Sequence, residues 1–202
     1  MDKQTQLEKT VNSKGMKKDP SFRYYHDVTS PRHLNTVKRM GKIIENIVGP
    51  TVLDCGCGAG IICFLASQLE DVKEIHGVDL QKSILVEARE NVTSEKVTFH
   101  EGFVEGLNFE SHYFDTVVMG EVLEHVFSVD KAIAEAAQVL KQNGRLVISC
   151  PYKGKLSKLH IRSISRAFLK EKLKKYFKIK TIEIIEYSNK LPPTLFCVGE
   201  KK

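Results

Sequence analysis

"VLDCGCGAGIIC", Val52 to Cys63, packs three cysteines and three glycines into twelve positions. Cys55, Cys57 and Cys63 read either as soft metal ligands or as small fillers in a loop built for something else. The residues on either side favour the second reading. Thr51 to Cys55 is a short apolar run ending in glycines, and Ile61 to Leu69 has helical spacing. Strand, glycine loop and helix in that order open a parallel α/β sheet. In such sheets ligands bind outside the carboxyl ends of the strands.

The glycine spacing narrows the ligand. A dinucleotide loop reads G-x-G-x-x-G and offers its amides to a pyrophosphate. Here the third glycine, Gly60, comes one residue early, and Asp54 precedes the first. A carboxylate is a poor neighbour for a pyrophosphate and a good one for a cation. Asp79, closing the next strand, stands where ribose hydroxyls are bound. A nucleoside with a cationic, amino-acid-like appendage satisfies both acids.

Outward from the loop, the pattern repeats. Short strands are expected at Glu74 to Asp79, Val97 to His100, Phe114 to Met119 and Arg145 to Cys150. Helices are expected from Pro31 to Val48, Ser83 to Asn91 and Val129 to Leu140, the last stopped by Asn143–Gly144. After a basic helix, Ser165 to Tyr176, come "KIKTIEIIEYS" and "PTLFCVGEK", too close in sequence for anything but antiparallel pairing. The fold expected is a Rossmann-like, doubly wound sheet of seven strands, mostly parallel, with an antiparallel C-terminal hairpin and helices on both faces. Residues 1–30 read as a flexible segment or lid, and 31–202 as a single domain.

Composition sets the remaining bounds. The chain has 202 residues, 42% hydrophobic and 28% charged, with a net charge of +6. No secretory signal or span-length apolar run is visible, and five cysteines lack framework spacing; the expectation is a cytoplasmic protein with free thiols. Lysines cluster in the first eighteen residues and again from Lys153 to Lys180, a pattern of solvated faces or of surfaces for anions.

"VLDCGCGAG", "GVDLQ", "FDTVVMGEVLEHV" and "LKQNGRLVISCP" together resemble the class I S-adenosylmethionine-dependent methyltransferases, over roughly Thr51 to Tyr152. The resemblance implies S-adenosylmethionine as cofactor and S-adenosylhomocysteine as its product. It places Asp54 and the backbone of Gly56, Cys57 and Gly58 beside the methionine moiety. Asp79 falls to the ribose, Leu80 to the adenine, and Gly120 and Glu121 to the methionine end. Many relatives carry an aspartate after the glycine of "EGF"; this chain has Phe103, which leaves adenine recognition to the ring and backbone of Phe103 and Val104.

A second constellation follows the fourth strand. In "GEVLEHV", Glu121, Glu124 and His125 share one face if the segment makes a helical turn. His125 is then a candidate general base, with Glu121 beside it in the catalytic centre; methyl transfer is an in-line displacement that needs alignment and removal of a proton. Acids at a helix start and a hydrogen-bonded histidine are the bland alternative. E-x-x-E-H also resembles the ubiquinone-biosynthesis O-methyltransferases and the small-RNA 2′-O-methyltransferases. That likeness implies a divalent metal with His160 as a further ligand, although no metal is expected as a requirement.

The expected acceptor is a small molecule, anionic if the basic loop Lys153 to Arg166 contacts it, methylated at oxygen. An RNA acceptor is the alternative, and a nicotinamide-dependent oxidoreductase a more distant one that the glycine spacing disfavours. Oligomeric state is not legible.

Overall fold

A computed structural model describes residues 31–152, 160–187 and 192–202. The expected lid, residues 1–30, and the first half of the basic loop, residues 153–159, lie outside the described residues. The elements run α1 (Pro31–Glu45), β1 (Thr51–Cys55), α2 (Ile61–Ser67), β2 (Glu74–Asp79), α3 (Lys82–Asn91) and β3 (Val97–Glu101). They continue with β4 (Phe114–Gly120), α4 (Val129–Val139), β5 (Leu140–Pro151), α5 (Arg166–Leu173), β6 (Phe177–Ile185) and β7 (Thr194–Lys201). The seven strands form one sheet in the order β3-β2-β1-β4-β5-β7-β6. β7 is antiparallel to both neighbours, and every other pairing is parallel.

Side-chain alternation along the central strands feeds two core layers. Val52, Val118 and Val147 pack on one face with Ile43, Ile44 and Ile47 of α1 and its C-terminal turn, Ile62 and Leu65 of α2, and Leu85 of α3. Leu53, Val117, Met119, Leu146 and Ile148 pack on the other with Ile133 of α4 and Leu169 of α5. Each fully buried aliphatic side chain contributes roughly 1.5–3 kcal/mol. Three such isoleucines make α1 part of the layer rather than a loose appendage. Lys42 of α1 also pairs with Glu183 of β6 at 2.6 Å.

Several element boundaries shift by a few residues from the sequence expectation; those of α1 and of the α4–β5 junction have a visible cause. α1 ends at Glu45, because the Val48 amide and carbonyl turn to the Thr116 hydroxyl, at 2.9 and 2.7 Å. α4 ends one residue early, and β5 starts at Leu140 rather than Arg145. Leu140 already pairs with Phe114, and the extra residues through Gly144 bulge out opposite Asp115. Asn143 takes a left-handed φ of 62°, and Lys141 anchors the bulge on Asp115 at 2.9 Å.

The strand order reverses between β1 and β4. The crevice outside their carboxyl ends is the switch point where doubly wound sheets bind ligands. The glycine loop leaves β1 there, and Gly120–Glu121 leaves β4. No helix among the described residues is long and apolar enough to cross a membrane.

Candidate active site

The glycine loop turns its amides inward. Gly56 and Cys57 both donate to the Val78 carbonyl, at 2.7 and 3.0 Å, and Gly60 donates to the Cys57 carbonyl at 2.9 Å. The Gly58 amide donates to Asp79 Oδ2 at 2.9 Å. A loop that cradles a pyrophosphate presents these groups to the ligand; here they bind the end of β2 instead. Gly56 has a φ of 71°, and a Cβ there would lie 2.6 Å from Val122 Cγ2. Gly58 has open space where a Cβ would be, so the loop is bare on its outer side.

Asp54 is fully buried on the α2 side of β1. The Cys63 thiol donates to its Oδ2 at 3.5 Å, and Oδ1 has no partner. Burial raises its pKa to about 7, against the Cys63 hydrogen bond and with the help of nearby Asp79. The carboxyl thus lies buried at the end of β1 with one oxygen held by Cys63 and the other without a partner. Asp79 is tied into the backbone: its other oxygen accepts from the Gln81 amide at 2.9 Å. Each carboxylate oxygen keeps a lone pair for a ribose hydroxyl.

Leu80 and Phe103 are 52% and 53% exposed at the ends of β2 and β3. The Gly102 amide, bonded to the Asp79 carbonyl at 3.1 Å, keeps these strand ends together. Two apolar side chains standing in solvent at a strand edge can cover a flat ring. Val104 is buried in the α4-side core, so only its backbone can serve such a ring. These features fit S-adenosylmethionine: an acid with one unpartnered oxygen for its cationic end, a carboxylate at the ribose position and an apolar edge for adenine.

The three cysteines diverge. Cys55 packs in one core layer, while Cys57 and Cys63 pack in the other. All are free thiols, and burial pushes Cys55 and Cys63 well up.

The helical turn expected to begin at Glu121 starts only after that residue. Glu121 adopts a left-handed φ of 59°, and its amide donates to the Ser149 carbonyl at 2.8 Å. Only one turn follows, closed by the His125 amide on the Val122 carbonyl at 2.9 Å. Glu121 therefore turns toward α1, while Glu124 and His125 stay together. Glu121 pairs with Arg39 of α1 at 3.1 Å. Glu124 is buried with both carboxylate oxygens lacking a hydrogen-bond partner, and burial, followed by the Glu121 charge, raises its pKa to about 8. His125 is exposed, with Nε2 3.9 Å from Glu124 Oε1.

His160 joins this group from beyond β5. Its ring meets His125 edge-on at 4.9 Å, and its Nδ1 is buried without a partner. Burial, then the neighbouring His125, lowers its pKa. Ligating atoms of Glu124, His125 and His160 all lie within 4.8 Å of one another. Two buried polar groups at this site carried no sequence signal: Arg39 Nε and the Ser149 hydroxyl, both unpartnered. Arg39 sits on a helix read only for its apolar positions, and Ser149 looks like one more residue of a buried strand.

Sheet order and the glycine loop at its switch point define a class I methyltransferase fold. The chain belongs to the class I S-adenosylmethionine-dependent methyltransferases. Residues 53–148 match a family model described as a methyltransferase domain. The chain is 33% identical over 104 residues to the mitochondrial ubiquinone biosynthesis O-methyltransferase of Candida albicans, covering 49% of this chain and 32% of that one. It is 30% identical over 136 residues to the ubiquinone biosynthesis O-methyltransferase of Nitrosospira multiformis, covering 65% of this chain and 54% of that one. It thus spans between about a third and about half of these curated relatives. The crystal structure of the YcgJ protein of Bacillus subtilis superposes with a TM-score of 0.69 at 20% identity, over 82% of this chain and 98% of that one.

Proposed function

We propose that this protein transfers a methyl group from S-adenosylmethionine to an oxygen of a small-molecule acceptor, with His125 as the general base. The observation that carries the reading is the pairing of an inward-turned glycine loop with the His125–Glu124 pair one strand away. Two relatives named as ubiquinone biosynthesis O-methyltransferases support oxygen as the acceptor atom.

S-adenosylmethionine supplies an electrophilic methyl group on a sulfonium. Asp79 binds the ribose, Leu80 and Phe103 cover the adenine, and the Asp54 carboxylate offsets the cationic end. The backbone of Gly56, Cys57, Gly58 and Gly120 leaves room for the methionine moiety. Glu121 borders that moiety, held in place by Arg39. His125 takes the acceptor hydroxyl's proton on its imidazole nitrogen, work suited to histidine near neutral pH. Glu124, largely protonated at that pH, ionises more readily once His125 is charged and stabilises the imidazolium.

Calorimetric binding of S-adenosylhomocysteine and of NAD tests the cofactor: the first should bind and the second should not. Labelled methyl transfer to a panel of phenols and catechols tests the acceptor. Transfer confined to RNA would overturn the small-molecule reading.

The orphaned Glu124 carboxyl favours a second reading, in which Glu124, His125 and His160 hold a divalent cation that orients vicinal hydroxyls. Carboxylate and imidazole suit a hard or borderline ion. Chelation followed by assay separates the two: an unchanged rate supports the base alone, and loss restored by Mg²⁺, Mn²⁺ or Zn²⁺ supports the cation.

A further inference from the structure

Residues 160–162 are tied to the turn after β4 by a guanidinium and a backbone amide. Arg162 Nη2 donates to the Phe127 carbonyl at 2.9 Å. Its Nη1 donates to the Val126 carbonyl and reaches the Leu123 carbonyl at 3.4 Å. Next to it, the Ile161 amide donates to the Glu124 carbonyl at 3.0 Å. The turn from Leu123 to Phe127 is too short to use these carbonyls in a helix of its own. Arginine's rigid fork of donors can serve several acceptors at once, which an ammonium on a flexible stem does poorly.

The consequence lies two residues back. His160 meets His125 only if the chain carrying it is held against the turn that carries His125. We infer that Arg162 is a positioning residue that docks the chain after β5 on the Leu123–Phe127 turn and thereby sets His160 against His125. This rests on the proposed catalytic role of His125 only for its consequence; the docking itself stands on the contacts above. With Arg162 in place the two imidazoles and the Glu124 carboxyl form one unit. Without it, His160 leaves the site while the cofactor half, built on β1 and β2, is untouched.

The test needs no acceptor, so its failure is distinct from failure of the methyl-transfer reading. In wild-type protein, nuclear Overhauser contacts between the His125 and His160 ring protons should be observed. Arg162→Gln should abolish them and move the His160 ring shifts toward those of an exposed histidine. S-adenosylhomocysteine affinity should stay within about threefold, since the cofactor contacts are independent of the docked segment. Arg162→Lys should restore the ring contacts in part, and Lys170→Gln, the same charge loss on the exposed side of α5, should leave them intact. Ring contacts that persist unchanged in Arg162→Gln would overturn the proposal. If that variant does not fold, the wild-type Ile161 amide decides. Strong protection from exchange supports the docking, and exchange at the free-loop rate sinks it.

Discussion

Asp54→Asn replaces a fully buried acid by a neutral group of the same shape. The native carboxyl titrates at about 7 because burial disfavours its charge, whereas the unfolded chain's ordinary value is 3.8. Between those values the unfolded chain gives up a proton that the native state keeps, so stability falls as pH rises and levels off above about 7. Three pKa units correspond to about 4 kcal/mol in total, of which about 2.5 kcal/mol is lost between roughly pH 5 and pH 8. The substituted carboxamide has no proton to lose, so the variant lacks this slope. Urea unfolding of the unliganded protein across that range should therefore show the variant gaining on wild type by about 2.5 kcal/mol as pH rises. Glu124, also raised, tilts both proteins alike and cancels in the comparison. Curves that stay parallel to within about 0.5 kcal/mol would refute the placement of an ionisable carboxyl buried at the end of β1.

Other outcomes follow from the same geometry. His125→Ala should lower methyl transfer by about 10²–10⁴-fold, the usual contribution of a general base, with S-adenosylhomocysteine affinity nearly unchanged in calorimetry. Asp79→Ala removes the acceptor for the Gly58 and Gln81 amides as well as the ribose partner, and should weaken S-adenosylhomocysteine binding by roughly 1.5–3 kcal/mol, about 10- to 100-fold. Gly56→Ala forces a Cβ to 2.6 Å from Val122 at a left-handed φ, and should cost about 2–4 kcal/mol in thermal or urea unfolding.

Much of this protein was legible in one dimension. Strand and helix periods, the early third glycine and the acids at positions 54 and 79 act over a few residues, so they announce the sheet, its ligand edge and a cationic nucleoside. The burial of one acid was not legible: both faces of a doubly wound sheet are covered, which buries Asp54 beside Cys63. The spacing of Glu121, Glu124 and His125 suggested one helical face; the left-handed backbone at Glu121 sends that residue to Arg39, while Glu124 and His125 stay together.

The surroundings of His125 are a product of tertiary structure. Arg39 reaches Glu121 from a helix 82 positions earlier, and Arg162 holds the turn after β4 from 35 to 39 positions later. Each contact forms because a parallel sheet brings the carboxyl ends of β4 and β5 to one edge, across from α1. Local spacing encodes Asp54, the glycines and Asp79, since a single loop and the next strand supply them. Which polar groups surround His125 depends on chain segments that only the closed sheet brings together.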